Sequence, residues 1–407
     1  MALLTTLAIT RLAVRLFKNS NEFIRNIDTQ YSDEFAVEGA KIGDTLRIRL
    51  PNDYTVADGP ALSAQETNEQ STSLVVNFQR HVDTTFTSAQ LSLSMQDFSE
   101  RVAAPVMNNL AGNVAAQVMT GIEGGVSNFV ANFDGNGNII SPIAQTVLDA
   151  GAMLSTRSAQ RRDRTVTTHQ NSMARLVGTM QGLFNPVAEI SRQYRDAMIY
   201  DALNFRWFED QTVLLHTTGS FTAGTVNGGN QTGLTLTTNA ITGTLKKGDI
   251  ITIAGVNSVN RVTKQDDGVL QQFVVTADVA TAATLIPIYP AIVAPATSGP
   301  AAGQPVQYQT VTASPGNTAA IALINTANEK YRKNIGYVPE FATLATCDLK
   351  LPTGNGQAAR ANSDGLAIRI IRNFYNVQTD AFVDRVDCLF GYLYVRPEWG
   401  VVIADVA

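Results

Sequence analysis

Two early stretches of the chain alternate apolar and polar residues with the period of a half-buried strand. In residues 44–51, Leu46, Ile48 and Leu50 alternate with Thr45, Arg47 and Arg49. From Ser73 to Arg80, Leu74, Val76 and Phe78 share one face. The residues between them, Asn52 to Thr72, are polar and rich in Asp, Gln, Asn and Ser. The pattern predicts a long hairpin with a polar tip. A two-stranded hairpin is marginal alone in water, so its apolar face needs cover, from this chain or from another copy.

The pattern then changes to the helical period. Over 97–122, Val102, Val106, Leu110, Val114, Val118 and Ile122 recur every fourth residue, and Ala103, Met107, Ala111 and Ala115 widen the stripe. Ser94 and Asp97 form a candidate cap pair, and Pro105 marks a start or a kink. A helix of 25 residues would extend roughly 37 Å, the length of a rod rather than of a compact-domain helix. Asp134-Gly-Asn-Gly-Asn138 reads as a turn. Helical patterns follow over 142–158, 186–211 and 318–334. The first residues, to Lys18, predict an amphipathic helix with Ile9, Leu12 and Leu16 on one stripe and Arg11, Arg15 and Lys18 on the other.

From Thr217 the helical signal lapses for nearly a hundred residues. Short strand patterns at 233–238, 249–256, 272–279 and 285–289 are separated by Asn227-Gly-Gly229, Asp266-Asp-Gly268 and Gly299-Pro300. This predicts a small barrel or sandwich, followed by a Pro/Ala/Gly linker over 295–305. It lies as a β domain inside a mixed α+β chain, and the tail over 366–403 is again strand-rich.

Composition sharpens the picture. The 407 residues carry 16% charged side chains, below the ~25% of an ordinary soluble domain. Thr, Asn, Gln, Ser and Ala take their place, giving a neutral surface that is desolvated at modest cost. A net charge of −5 argues against a dedicated nucleic-acid binder. Cys347 and Cys388 cannot staple a chain of this length and fit a reducing compartment and free thiols, or one accidental pair. No apolar run reaches the ~18–20 residues needed to span a bilayer, and Arg11 and Arg15 interrupt what would be the core of a signal peptide. A transit peptide is the alternative reading of that segment.

Candidate chemistry is sparse. The chain has no phosphate-cradling loop, no H-E-x-x-H, no C-x-x-C and no G-x-S-x-G. Asp134, Asn136 and Asn138 imitate the start of a calcium loop, but Ile139 and Gln145 stand where glycine and glutamate belong. His81 and Asp83 share a strand face, best read as two surface residues. Arg157, Arg161 and Arg164 would share a helix face if the helix continued, and with Arg162 they form the best anion candidate, with salt bridging favoured over phosphate contact. No catalytic, cofactor-binding or metal-binding constellation is readable.

Three segments together resemble the P22-type coat proteins of tailed bacteriophages, a branch of the HK97-like capsid fold. The first is Asp97-Phe-Ser-Glu-Arg-Val-Ala-Ala-Pro105 with the helix that follows it, similar to the family's spine helix. The second is Lys247-Gly-Asp-Ile-Ile-Thr-Ile-Ala-Gly-Val-Asn257 with Leu270-Gln-Gln-Phe-Val-Val-Thr-Ala-Asp278 and Ile288-Tyr-Pro290, similar to its β insertion. The third is Asp384-Arg-Val-Asp-Cys-Leu-Phe-Gly-Tyr392 with Val395-Arg-Pro397, similar to its C-terminal strands.

The resemblance implies an N-arm (1–35), an extended hairpin or E-loop (36–85) and a peripheral domain with the spine helix (86–135 and 376–407). It further implies an axial domain (136–216 and 312–375) and an inserted all-β domain (217–311). It implies a non-enzymatic shell subunit, without cofactors, forming pentamers and hexamers around double-stranded DNA in a virion assembled in the bacterial cytoplasm. The expected partners are further copies, a separate scaffolding protein, a portal protein and non-specifically packaged DNA, with no membrane. Because the hairpin pattern begins by about residue 36, no room is left for a built-in scaffolding segment. Arg11, Arg15, Arg47, Arg49, Asp53 and Tyr54 are the candidate inter-subunit contacts. An encapsulin-like compartment shell is the alternative, and a carbohydrate-active or adhesive surface protein a third class.

Overall fold

A computed structural model of the chain describes residues 6–19, 21–30, 45–50, 52–56, 59–60, 69–87, 104–179, 199, 201–295, 306–352, 357–363, 366–376 and 381–407. The chain divides into two compact units. One comprises Met1–Leu50, Ser71–Val118 and Ala342–Val395, and the other Pro51–Gln70, Met119–Phe341 and Arg396–Ala407.

In the first unit the central element is the strand Ala381–Tyr394. Phe78–Thr87 runs antiparallel along one edge, pairing Phe78 with Phe390 and Ala381 with Thr87. The other edge is shared by Leu366–Asn376 and Ala342–Cys347, and Gln357–Ser363 and Asp28–Gln30 extend the sheet outward. The N-terminal helix Thr6–Asn19 packs against the Gln357–Ser363 and Leu366–Asn376 strands. Its buried stripe is Thr10, Ala13, Val14 and Phe17, one residue round from the expected Ile9–Leu12–Leu16 line, with Leu12 and Leu16 half-buried.

The expected rod helix is seen over Ala104–Thr120, with Met107, Leu110, Ala111, Val114, Ala115 and Val118 buried. Residues 97–103 of that expectation lie outside the described residues. Arg80 on the sheet donates to Asn113 Oδ1 (3.0 Å) and Gln117 Oε1 (3.1 Å) on this helix, and the Tyr394 hydroxyl donates to the Val118 carbonyl.

The second unit contains a seven-stranded sheet among its described residues. Phe129–Val130, Gly400–Val406, Lys330–Tyr337, Thr165–Thr168, Phe205–Glu209 and Asp201–Ala202 follow one another in that order, and Leu215–Thr217 also pairs with Lys330–Tyr337. The helices Ala144–Thr156 and Gln170–Thr179 cover it, burying Val147, Ala150, Leu154, Met173 and Leu176 with Phe205, Trp207, Val401 and Ile403. A six-stranded sheet follows the order Gly224–Thr225, Ala320–Leu323, Ile250–Val259, Asp266–Val275, Leu285–Ile292 and Gly233–Thr237. Bridges Ala223–Thr242 and Val226–Thr238 tie its two edge strands to each other. Sixteen buried apolar residues, Phe221, Ile251, Phe273 and Ile288 among them, fill its interior.

Two helical expectations fail. Residues 201–209 form a tight hairpin whose turn residues, Leu203 and Asn204, have φ of 56° and 69°; residues 186–198 lie outside the described residues. Phe205 and Trp207 are buried while Arg206 between them is exposed, a period of two. Residues 318–334 form the strands Ala320–Leu323 and Lys330–Tyr337. Helix-favouring Ala and Lys yield there to ladder pairing on both sides, an instance of tertiary context overriding propensity. The late strands also group differently from the expected segments. Residues 342–376 pair with Ala381–Tyr394, whereas Gly400–Val406 joins the second unit's sheet.

Candidate functional site

The hairpin expectation can be followed residue by residue. Thr45–Arg49 and Ser71–Val75 pair antiparallel, with Leu46 opposite Leu74 and Arg47 opposite Ser73. Leu74 and Val76 are fully buried against Ala345, Cys347 and Leu389, with Leu46 and Ile48 packed beside them. The apolar face of the stem is therefore covered by its own chain. Gly391 permits this closeness, since a Cβ there would lie 2.3 Å from the Val75 carbonyl oxygen.

The polar face of the stem carries Arg47 and Arg49, both exposed, and Arg47 donates to Ser71 Oγ at 2.9 Å. Arg11 and Arg15 are exposed on the outer face of the N-terminal helix. These four candidates present charge to solvent. Asp53 does not: its carboxylate receives Arg261 Nε (3.1 Å) and Nη2 (3.2 Å), with Lys264 Nζ at 3.8 Å. Arg261 also donates Nη1 to Glu398 Oε1 at 2.5 Å. Burial pulls the Arg261 pKa down, but Glu398 and Asp53 outweigh it and hold it above its ordinary value. At Lys264, burial together with Arg261 prevails over Asp53 and lowers the pKa. Tyr54, the remaining candidate, is 55% exposed, and Val56 beyond it is 91% exposed.

Sequence reasoning missed a second cluster, which is more deeply buried. His216 places Nδ1 3.2 Å from Glu123 Oε1 and Nε2 2.8 Å from Asp249 Oδ1. The imidazole thus bridges two carboxylates, and a ring N–H donates to a carboxylate oxygen. Asp249 is fully buried, and its Oδ2 also receives the backbone N–H groups of Lys246 (2.7 Å) and Gly219 (3.0 Å). Lys333 donates to the Gly248 carbonyl at 2.8 Å and lies 5.8 Å from the Tyr331 ring centroid.

Burial lowers the Lys333 pKa to about 8 despite Glu123 and Asp249. Burial also works on Glu123, but there the His216 hydrogen bond and the charges of Lys333, His216 and Lys247 win and lower its pKa. The cluster sits where the chain leaves the seven-stranded sheet at Leu215–Thr217 and re-enters it at Lys330–Tyr337, the two paired antiparallel. It is thus the joint through which the six-stranded segment is fastened. In the sequence, His216 directly precedes the β-rich stretch that begins at Thr217, and nothing local ties it to residues 123, 249 or 333.

The other candidates resolve into structural roles. The Asp134 carboxylate receives the Asn136 and Asn138 backbone N–H groups, each at 2.8 Å, as a hairpin turn does. His81 and Asp83 are 3.3 Å apart on the outer strand and about half exposed. The helix ends at Thr156, so the arginines do not share a face. Arg157 donates to Gln271 Oε1 (3.0 Å), and Arg164 to the carbonyls of Gln160, Gly151 and Ala159 and to Ser155 Oγ. Among the described residues no group of three or more His, Cys, Asp or Glu is placed to hold a metal ion, and no helix is long and apolar enough to cross a membrane.

Comparison with known proteins decides the family. The family model described as "P22 coat protein - gene protein 5" matches residues 36–404. The chain belongs to the P22 coat protein family. It is therefore a major capsid protein of a tailed bacteriophage, a homo-oligomeric structural protein located in the virion capsid. No curated protein matches this coat protein at a significant level.

Among solved structures, a chain of Mycobacterium phage Che8 is 10% identical with a TM-score of 0.42, covering 89% of the coat protein and 84% of that chain. The capsid of Ralstonia phage GP4 gives 6% identity, a TM-score of 0.44 and coverages of 93% and 87%. The virus-like particle from Pyrococcus furiosus gives 7%, 0.35 and 97% of both chains. At such scores these likenesses carry no argument, and the assignment rests on the family match.

Proposed function

We propose that this coat protein self-assembles into pentamers and hexamers of an icosahedral shell that encloses double-stranded DNA, by way of the HK97-like arrangement. The observation that carries the reading is the family match over 36–404. In this account residues 1–35 are the N-arm and 36–85 the E-loop, which reaches a neighbouring copy. Residues 86–118 with 342–395 make the peripheral domain, and 119–216 with 326–341 and 396–407 the axial domain. Residues 217–325 are the inserted β domain, which takes in the strand Ala320–Leu323 and is joined to the subunit through His216 and Asp249. Arg11, Arg15, Arg47, Arg49, Asp53 and Tyr54 are the proposed contacts between copies.

A low charge density supports the reading, because many copies must meet without like-charge repulsion. A separate scaffolding protein and a portal protein complete the assembly in the host cytoplasm. The packaged DNA is confined without tight binding, as the net charge of −5 suits, and no catalysis is assigned. The test is electron microscopy of the protein produced with and without its gene neighbours. Closed shells or spirals are expected, and a chain that stays monomeric under both conditions would overturn the reading. Deleting Asp53–Ser71 should leave a folded subunit that cannot close shells.

A further inference from the structure

The strand Phe78–Thr87 is ten residues long and pairs with Ala381–Tyr394 at every position without a bulge. Among the described residues no strand pairs with its other edge. Its sequence carries no proline, glycine or lysine, and Val82, Thr84, Thr85 and Thr87 are β-branched. Natural proteins guard long sheet edges with proline, lysine or bulges, because the unpaired N–H and C=O groups recruit another strand. Arg80 reaches Asn113 and Gln117 of the helix Ala104–Thr120, so the even-numbered side chains of the strand face that helix. The odd-numbered ones face away, and His81, Asp83 and Thr85 are exposed there.

The exposed row is complementary to itself in reverse. Antiparallel pairing of two copies about a two-fold axis places residue i opposite residue j, and j opposite i. With the axis at Val82, perpendicular to the sheet, His81 meets Asp83 and Asp83 meets His81. Gln79 then meets Thr85, an amide opposite a hydroxyl, and the outward faces of both copies lie on one side. An axis at His81 sets two imidazoles against each other, and an axis at Asp83 sets two carboxylates, which is unfavourable. Within one chain His81 and Asp83 are 3.3 Å apart, with Arg385 3.9 Å from Asp83, and His81 and Asp83 remain about half exposed. Pairs across the axis therefore extend a polar row that each copy already carries.

We propose that the outer edge of Phe78–Thr87 is an interface between copies of this chain, the strand pairing antiparallel with the same strand of a second copy about a two-fold axis at Val82. This rests on the shell reading and adds an interface to it. The backbone hydrogen bonds supply the affinity, while the His81–Asp83 and Gln79–Thr85 pairs supply the register. A foreign strand would meet the same backbone groups without repeating the row in reverse, so a second copy is the occupant that the side chains select. The six-stranded sheet of the first unit then continues across the axis into its counterpart.

Single cysteines in the full chain read the register, since the native Cys347 and Cys388 are buried. Opposed residues of an antiparallel pair have Cα atoms about 4.5–5.5 Å apart, within the range that a disulfide bridges. Val82→Cys faces its own counterpart, so oxidised shells are expected to give covalent dimers. Thr85→Cys faces Gln79, and its own counterpart lies about 20 Å away along the strand. Dimers from Val82→Cys shells are expected to exceed those from Thr85→Cys shells about tenfold or more. Equal yields from the two, or single chains from Val82→Cys shells, overturn the proposal.

Hydrogen exchange on the wild-type chain covers the case of a variant that does not fold. The outward-pointing amides of residues 78–87 are expected to exchange about tenfold or more slowly in shells than in free subunits. Equal exchange in the two states overturns the proposal, because an edge open in both meets no strand and an edge protected in both is covered by its own chain. Slowing in shells, with assembled Val82→Cys giving no dimer, means that a different strand fills the edge and overturns self-pairing. A wild-type chain that forms no shells overturns the shell reading as well, whereas wild-type shells with an open edge overturn the interface alone.

Discussion

Two clusters of opposite charge in the second unit differ chiefly in how much water reaches them. Around His216, Asp249 is fully buried and the histidine is 4% exposed, with three donors converging on one carboxylate. Around Arg261 every charged partner but Lys264 is at least a fifth exposed. Removing one partner from the dry cluster leaves a charge with neither water nor a counterion, so it behaves as a fixed joint. In the wet cluster water reaches Arg261, Asp53 and Glu398, so losing one of those partners costs less, with Lys264 the one buried member.

The dry joint should break hardest. Asp249→Ala removes the acceptor for His216, Gly219 and Lys246, with an expected loss of about 3–5 kcal/mol. Urea unfolding followed by tryptophan fluorescence reads it directly, because both tryptophans, Trp207 and Trp399, lie in the second unit. A change below about 1 kcal/mol would remove the distinction drawn between the clusters.

The joint should also respond to pH with a definite sign. Lys333 has a pKa of about 8 in the folded chain, against 10.5 for an ordinary lysine. Between those values the unfolded chain binds more protons, so stability rises with pH, by up to about 3 kcal/mol across the window. Tyr331, whose hydroxyl burial pushes well above 10, opposes this from pH 10 upward. The rise is therefore expected between pH 8 and 9.5, and Lys333→Met should abolish it in melting-temperature profiles. On the acid side, Glu123, held below 4.5, contributes stability that is present above its unfolded pKa and lost as pH falls through the folded one.

The wet cluster should give the opposite pattern. Arg261→Gln is expected to cost the free subunit about 1 kcal/mol or less in the same urea assay, since its partners remain hydrated, while shell yield falls severalfold. The smallest effect belongs to Arg47→Ala, on the exposed face of the stem, at within about 0.5 kcal/mol. A larger loss at Arg47 than at Arg261 would reverse the ranking of the two contacts.

What the sequence disclosed follows from the range of the interactions involved. The hairpin, the helix over 104–120 and the strands after Gly233 announce themselves through local periodicity, and Leu110, Val114 and Val118 are buried as their spacing requires. The strands at 320–323 and 330–337 were not legible as such. Ala320, Ala322 and Lys330 favour helix, and the pairing that overrules them comes from residues 165–168, 250–259 and 400–406. Leu203 and Asn204 turn the 201–209 hairpin with positive φ, while the apolar residues around them also fit a helical face.

The candidate contacts divide in the same way. That Arg47, Arg49, Arg11 and Arg15 face outward could be read from alternation and amphipathicity. That Asp53 meets Arg261 could not, because 208 positions separate them. The His216 joint was equally hidden, its four titratable members being drawn from residues 123, 216, 249 and 333.

A reconstruction of the assembled particle by electron cryo-microscopy tests the central claim most directly. The account predicts a closed shell of copies in which His216 lies between Glu123 and Asp249 of its own chain and the hairpin over 36–85 touches a neighbouring copy. A particle in which the hairpin meets no neighbour, or a His216 joint opened by assembly, would contradict it.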